Sequence, residues 1–338
     1  MNITNWFSCK YHLKNSSMPK YFVLDENMIP HWKINLNTNE YKLFGKIKVK
    51  KDFNQILMIG ISNKIESKIN TCNKNSEELK INIPILKSNL QKCIRRSKIR
   101  KSVRTCNFLL DVDPNSLLRR LAIIYIEDVI IDNYFTNIIW YMVAVSKGYI
   151  LSSTDKLIIL NIIKNLAKSK FKEEIPKYDK IDYKTYFLEI NSNILNHNYN
   201  IIWSLILRNK YGGMIGDINM INGALQIYSK KKVNKINLII KNFEYKLNLK
   251  EKDILLESVD FHCTNIIGIL LKKKKINYQD NYLIYKDCIW NNRSSITNKK
   301  IINKTDSNSL IDNIQLFELI KDDLDLISKN IIKYQLNI

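Results

Sequence analysis

The sequence predicts a mainly α protein, a multi-helix bundle with a small β-rich N-terminal part. Three observations carry this. Apolar residues recur at helical spacing from Ser88 onward. Period-two alternation is confined to the first 60 or so residues. Hydrophobic content of 45% and aromatic content of 10% set the chain apart from disordered sequences.

In chain order, Tyr21-Phe22-Val23-Leu24 reads as a strand stopped by Asp25-Glu26-Asn27, and Trp32, Ile34 and Leu36 alternate with polar residues. From Leu43 to Lys50, Ile47 and Val49 fall on one face and Lys46, Lys48 and Lys50 on the other. That lysine face fits a gatekept edge hairpin at least as well as a binding face. Residues 61–85 are rich in Asn, Lys and Ser and read as a polar linker. Ser88 followed by Gln91 suggests a capping box, and Ser97 a second helix start. A third start is Asp113 as N-cap with Pro114 at the first helical position. Further helices are expected near 134–146, 154–168, 183–196, 199–210, 218–229, 253–271 and 309–333. This gives a β-rich part at 1–60, a linker at 61–85, a helical domain at 86–250 and a helical C-terminal region at 251–338.

The charge balance narrows the function classes. Fifty-four Lys and Arg against 32 Asp and Glu leave a formal +22, which attracts polyanions. Part of the lysine content fits an AT-rich coding pool, so arginine is the better discriminator, and the arginines concentrate between Arg95 and Arg120. On this basis Lys92, Arg95, Arg96, Lys98, Arg100, Lys101 and Arg104 form the candidate phosphate-binding face. Repeated cations at helical spacing cost stability unless an anion answers them.

Arg119 and Arg120 lie in the first half of the next helix, with Glu127 and Asp128 at its far end. Carboxylates there oppose the helix dipole, so they are expected to take Arg or backbone N–H partners from a neighbouring element, the four residues serving a structural Arg/Glu-Asp network that fixes helix packing. Gly212, Gly213 and Gly216 suggest a backbone anion nest ahead of a helix. The competing reading has Gly212 ending one helix and Asp217 capping the next.

The six cysteines show neither a disulfide framework nor zinc-ligand spacing. Glu257, Asp260, His262 and Cys263 are the one concentration of His, Cys and carboxylate, and a packed helix explains them better than metal or acid–base chemistry. Walker A, nucleophile-elbow, H-E-x-x-H and Rossmann glycine patterns are missing. No metal or cofactor and no catalytic residue is expected. The N-terminal stretch lacks the apolar core of a signal peptide, and Asn133–Ser146 is too short to span a bilayer. The expected setting is a reducing intracellular compartment without membrane contact, nucleus or cytoplasm left open.

The central run also resembles the C-terminal helical domain of RarA/MgsA-type replication-associated recombination ATPases, relatives of the clamp loaders. The matching residues are Lys92, Ile94-Arg95, Ser97, Leu109-Leu110, Asp113-Pro114, Arg119-Arg120-Leu121 and Glu127-Asp128-Val129, within about residues 88–165. Arg96 stands where the family usually has Gly, the loop before Asp113 is shorter, and Ile130 replaces a Gly. The ATPase domain that precedes this module in the family is missing here. The resemblance implies a collar-like module without a motor, assembling with itself or a replication partner and engaging DNA. The leading expectation is a non-catalytic, nucleic-acid-binding accessory protein of replication, recombination or repair. The alternatives are a structural or assembly protein binding nucleic acid or an acidic partner nonspecifically, and an enzyme near Glu257, Asp260 and His262.

Overall fold

The computed structural model describes residues 18–49, 52–69, 82–261, 264–302 and 313–336. The fold is mainly α with a small N-terminal sheet, as the patterning predicts. The chain divides into two units, each assembled from three segments, where the sequence suggested boundaries in simple chain order. The first comprises Met1–Asn73, Leu118–Asp155 and Ile175–Leu238; the second comprises Lys74–Leu117, Lys156–Glu174 and Ile239–Ile338.

The first unit is built on strands β1 (Tyr21–Leu24), β2 (Pro30–Lys33), β3 (Tyr41–Val49) and β4 (Gln55–Ser62), in the order β2-β1-β4-β3. Strand β1 ends as expected, because the Asp25 carboxylate accepts the N–H groups of Asn27 and Ile29 and closes a turn. Strand β4 pairs parallel to β1 and antiparallel to β3. Its Leu57, Ile59 and Ile61 are fully buried. On the edge strand β3, Lys42, Lys46 and Lys48 are exposed, which suits edge protection; Lys50 lies outside the described residues. A short pair, β5 (Lys68–Ile69) with β6 (Tyr149–Ile150), completes the strands of this unit.

Helix α4 (Phe135–Ser146) is buried along nearly its whole length, as expected of a helix that is apolar all round. Trp140 donates from Nε1 to the Phe22 carbonyl, and Trp32 stacks on Phe22 with ring centroids 4.2 Å apart. Trp32 Nε1 reaches Ser204 of α7 (Ser192–Lys210) at 3.1 Å. Helix α6 (Tyr183–Glu189) ends before α7, separated by Ile190 and the N-cap Asn191. Helix α8 (Ile215–Tyr228) follows.

The second unit contains α1 (Ile83–Arg95), α2 (Ile99–Val112), α9 (Thr264–Lys274), α10 (Tyr278–Ile289) and α11 (Ile314–Leu336). Short 3-10 helices lie at Glu251–Asp253 and Leu256–Phe261, and strands β7 (Phe171–Glu173) and β8 (Lys300–Ile302) pair in parallel. Helix α3 (Pro114–Asp128) and helix α5 (Ser153–Lys168) each contribute to both units.

Two predicted caps shift. Helix α1 starts at Asn82, which accepts from the Ile85 N–H, so Ser88 lies inside the helix. Ser97 adopts φ 57°, and Lys98 N–H returns to the Cys93 carbonyl; Ser97 therefore ends α1 and does not cap α2. The Asp113-Pro114 start holds, with Asp113 accepting from the Ser116 N–H at 2.9 Å. Among the described residues no helix is long and apolar enough to cross a membrane.

Candidate nucleic-acid interface

The seven cations expected on one face separate into two groups. Lys92 and Arg95 are each 5% exposed. Lys92 bonds Ser88, and Arg95 bonds the Ser294 carbonyl at 3.2 Å. Arg96 Nη1 meets Glu257 at 2.7 Å, and Arg104 Nη1 meets Asp253 at 3.1 Å. Arg95, Arg96 and Arg104 tie α1 and α2 to the chain between Lys246 and Ile296, and Lys92 is buried against Ser88 of its own helix, so these four do not present the open phosphate-binding surface that their charge suggested. The reason is packing: segments remote in sequence cover this side of the helices and supply the carboxylates and carbonyls that answer the guanidiniums.

Lys98 and Arg100 are exposed, and Lys101 is half-buried with its ammonium on the Lys252 carbonyl at 2.6 Å. The chain from Tyr245 to Asp253 runs beside α2. Arg104 donates to the Lys246 carbonyl, and the guanidiniums of Arg100 and Arg104 sit 5.5 and 5.8 Å from the centre of the Tyr245 ring. Such cation–aromatic contacts hold the arginine stems in place. Burial pushes the Tyr245 phenol up, while the two guanidiniums pull the other way. Lys246, Lys250 and Lys252 are exposed on this segment. The resulting patch is Lys98, Arg100, Lys101, Lys246, Lys250 and Lys252, with Glu244 and Glu251 as the exposed acids in or next to the same segment and Asp253 buried against Arg104. Sequence reasoning missed the last three lysines. Their spacing was visible, but their position beside α2 is set by contacts about 150 residues away in sequence, such as Arg104–Asp253.

The carboxylates of the alternative enzyme site serve the fold. Burial alone would raise Glu257, but its own backbone N–H and the Arg96 guanidinium outweigh this and hold it below the usual range. Asp260 is fully buried and pushed up to about 6 by that burial, against the pull of Arg293 at 3.4 Å. His262 and Cys263 lie outside the described residues. Among the described residues no group of three His, Cys, Asp or Glu is placed to hold a metal.

Of the expected Arg119/Arg120–Glu127/Asp128 network, the arginine half does not form among the described residues. Arg119 is exposed, its guanidinium 5.7 Å from the centre of the Tyr211 ring, and Arg120 is half-exposed. Among the described residues neither forms an ion pair or a side-chain hydrogen bond. Asp128 is fully buried and Glu127 partly so, at the other end of α3.

The glycine cluster forms the connection from α7 to α8. Gly212 has φ 84° and returns its N–H to the Asn209 carbonyl, ending α7. Gly213 has φ 154°. Gly216 lies in the first turn of α8, as does Asp217; the N-cap is Met214, with no side-chain cap, where Asp217 was expected. Arg208, only 2% exposed, donates from Nη1 to the Gly212 carbonyl. Comparison with family models, with curated proteins and with solved structures returns no match to this chain.

Proposed function

We propose that this protein is a non-catalytic nucleic-acid-binding protein that contacts the phosphate backbone through Lys98, Arg100, Lys101, Lys246, Lys250 and Lys252. The carrying observation is the exposure of Lys98, Arg100, Lys246, Lys250 and Lys252, with Lys101 half-exposed among them, along α2 and the segment beside it, in a chain of net charge +22. Exposed lysines and arginines attract phosphates, and such backbone contacts are strong, sequence-tolerant and salt-dependent. The accessory role in replication, recombination or repair, with assembly on itself or on a replication partner, rests on the resemblance of residues 88–165 to the collar-like module.

The test is fluorescence anisotropy with labelled single- and double-stranded DNA across a salt series. Lys98→Glu/Arg100→Glu/Lys101→Glu should weaken binding about tenfold or more and flatten the salt slope by roughly two to three. Unchanged affinity and slope in a folded triple variant would overturn the assignment. Light scattering with and without DNA addresses assembly: a defined stoichiometry fits the accessory role, and polydisperse coating fits nonspecific packaging.

A further inference from the structure

The cations that the α2 face does not use meet at a second place. Arg119 and Arg120, in the second turn of α3, form no ion pair among the described residues, and Arg119 lies over Tyr211. Arg208, at the end of α7, is almost fully buried, and its Nε has no hydrogen-bond partner. Its terminal nitrogens point into the glycine turn, since a Cβ built on Gly213 would lie 3.6 Å from both of them and 3.8 Å from an Asp217 carboxylate oxygen. Beside Gly212 and Gly216 such a Cβ would meet nothing within 4 Å. Open space therefore lies beside Gly212 and Gly216, on either side of the Gly213 position that the Arg208 nitrogens and Asp217 face.

The electrostatics agree with the geometry. Burial lowers the Arg208 pKa; Asp217 opposes this, while Arg119 and Arg120 push the same way as burial. Three guanidiniums are thus answered by one carboxylate. Clustered like charges of this kind are unfavourable without an anion, and guanidinium forks match tetrahedral oxyanions. The first turn of α8 adds backbone N–H groups at the same place.

We propose that the Tyr211–Asp217 turn, with Arg119, Arg120 and Arg208, is a discrete binding site for a dianionic phosphate group. Two net positive charges remain after Asp217 is counted, matching a free phosphate or a terminal phosphomonoester better than a backbone diester. This site belongs to the first unit and does not depend on the α2 face.

Titration calorimetry with inorganic phosphate on the full chain tests it. The unmodified protein should bind one phosphate with a Kd on the order of 1 mM or tighter. Arg119→Gln/Arg120→Gln should weaken this about tenfold or more, since each lost charged bond is worth about that factor. Asp217→Asn should tighten it by removing the competing carboxylate, and it carries the test if circular dichroism shows the double variant unfolded. No phosphate binding, or equal binding in every variant, would overturn the proposal. A second arm compares 5′-phosphorylated and unphosphorylated oligonucleotides in the Lys98→Glu/Arg100→Glu/Lys101→Glu background. A preference for the phosphorylated end that Arg119→Gln/Arg120→Gln removes assigns the source to a nucleic-acid terminus. Its absence, with inorganic phosphate still bound, assigns a free phosphate. Loss of DNA binding in that background with phosphate binding intact keeps the two proposals separate.

Discussion

Arg104 and Asp253 face each other across 149 residues of sequence, with Nη1 at 3.1 and 3.3 Å from the two carboxylate oxygens. Asp253 is 3% exposed and also accepts the Lys250 N–H, so the pair anchors the Tyr245–Asp253 segment to α2. Asp253→Asn keeps the shape and removes the charge, leaving Arg104 partly able to reach water. It should cost about 1.5–3 kcal/mol in urea unfolding. A cycle with Arg104→Gln should show coupling of about 1 kcal/mol or more. Additive effects would mean that the pair does not hold the segment.

Neighbouring cations should differ in kind. Arg96→Glu places a carboxylate where Glu257 lies 2.7 Å from the present guanidinium, and should destabilise the fold by about 3 kcal/mol or more. Lys98→Glu, on an exposed side chain, should change stability by no more than about 0.5 kcal/mol while lowering DNA affinity. Chemical unfolding and anisotropy on the same two variants separate the roles. Equal unfolding midpoints would contradict the assignment of Arg96 to the fold.

That contrast also marks what the sequence could convey. Local signals were legible: Asp113-Pro114 starts α3, Asp25 stops β1, and Lys46 and Lys48 alternate out of β3. Each depends on residues within a few positions. Strand β4 was missed because its apolar run, interior to the sheet, lacks the alternation that marks a half-exposed strand. Charge was legible, but its use was not. Arg96 and Arg104 look the same in sequence as Arg100 and Arg119; only remote partners separate fold bonds from exposed cations.

Asp132 gives a pH prediction. Burial raises its pKa from the ordinary 3.8 to about 6, although Tyr125 and the Tyr134 and Phe135 backbones pull it down. The folded state therefore favours the neutral acid. The stabilising contribution is fully present below pH 3.8 and is lost as pH rises through about 6, a difference of roughly 3 kcal/mol. Asp132→Asn retains an oxygen for the Tyr125 hydroxyl and the Tyr134 N–H, both on Oδ1 in the unmodified protein. Relative to the unmodified protein, the variant should gain stability between pH 4 and pH 7. A constant difference across urea midpoints at pH 4, 5, 6 and 7 would contradict the buried-acid account.

Gly223 sets how closely the chain before α6 can approach α8. A Cβ at this position would fall 1.7 Å from the Pro176 carbonyl oxygen and 2.9 Å from Ile175 Cγ2. The approach is fixed by Tyr178 N–H on the Asn219 carbonyl and by Asn222 on the Tyr178 carbonyl. The clash is with backbone, so no side-chain rotation relieves it. Gly223→Ala should cost about 3 kcal/mol or more and loosen the 176–179 segment, despite alanine's better helix propensity. Gly268, in α9, is the control, because its nearest neighbour would be Tyr278 at 4.0 Å. Gly268→Ala should leave stability unchanged or raise it by up to about 1 kcal/mol. Thermal unfolding of both variants, with proteolysis at Lys177, separates close packing from propensity. Similar melting temperatures for the two would show that α8 can move away from Pro176 at little cost.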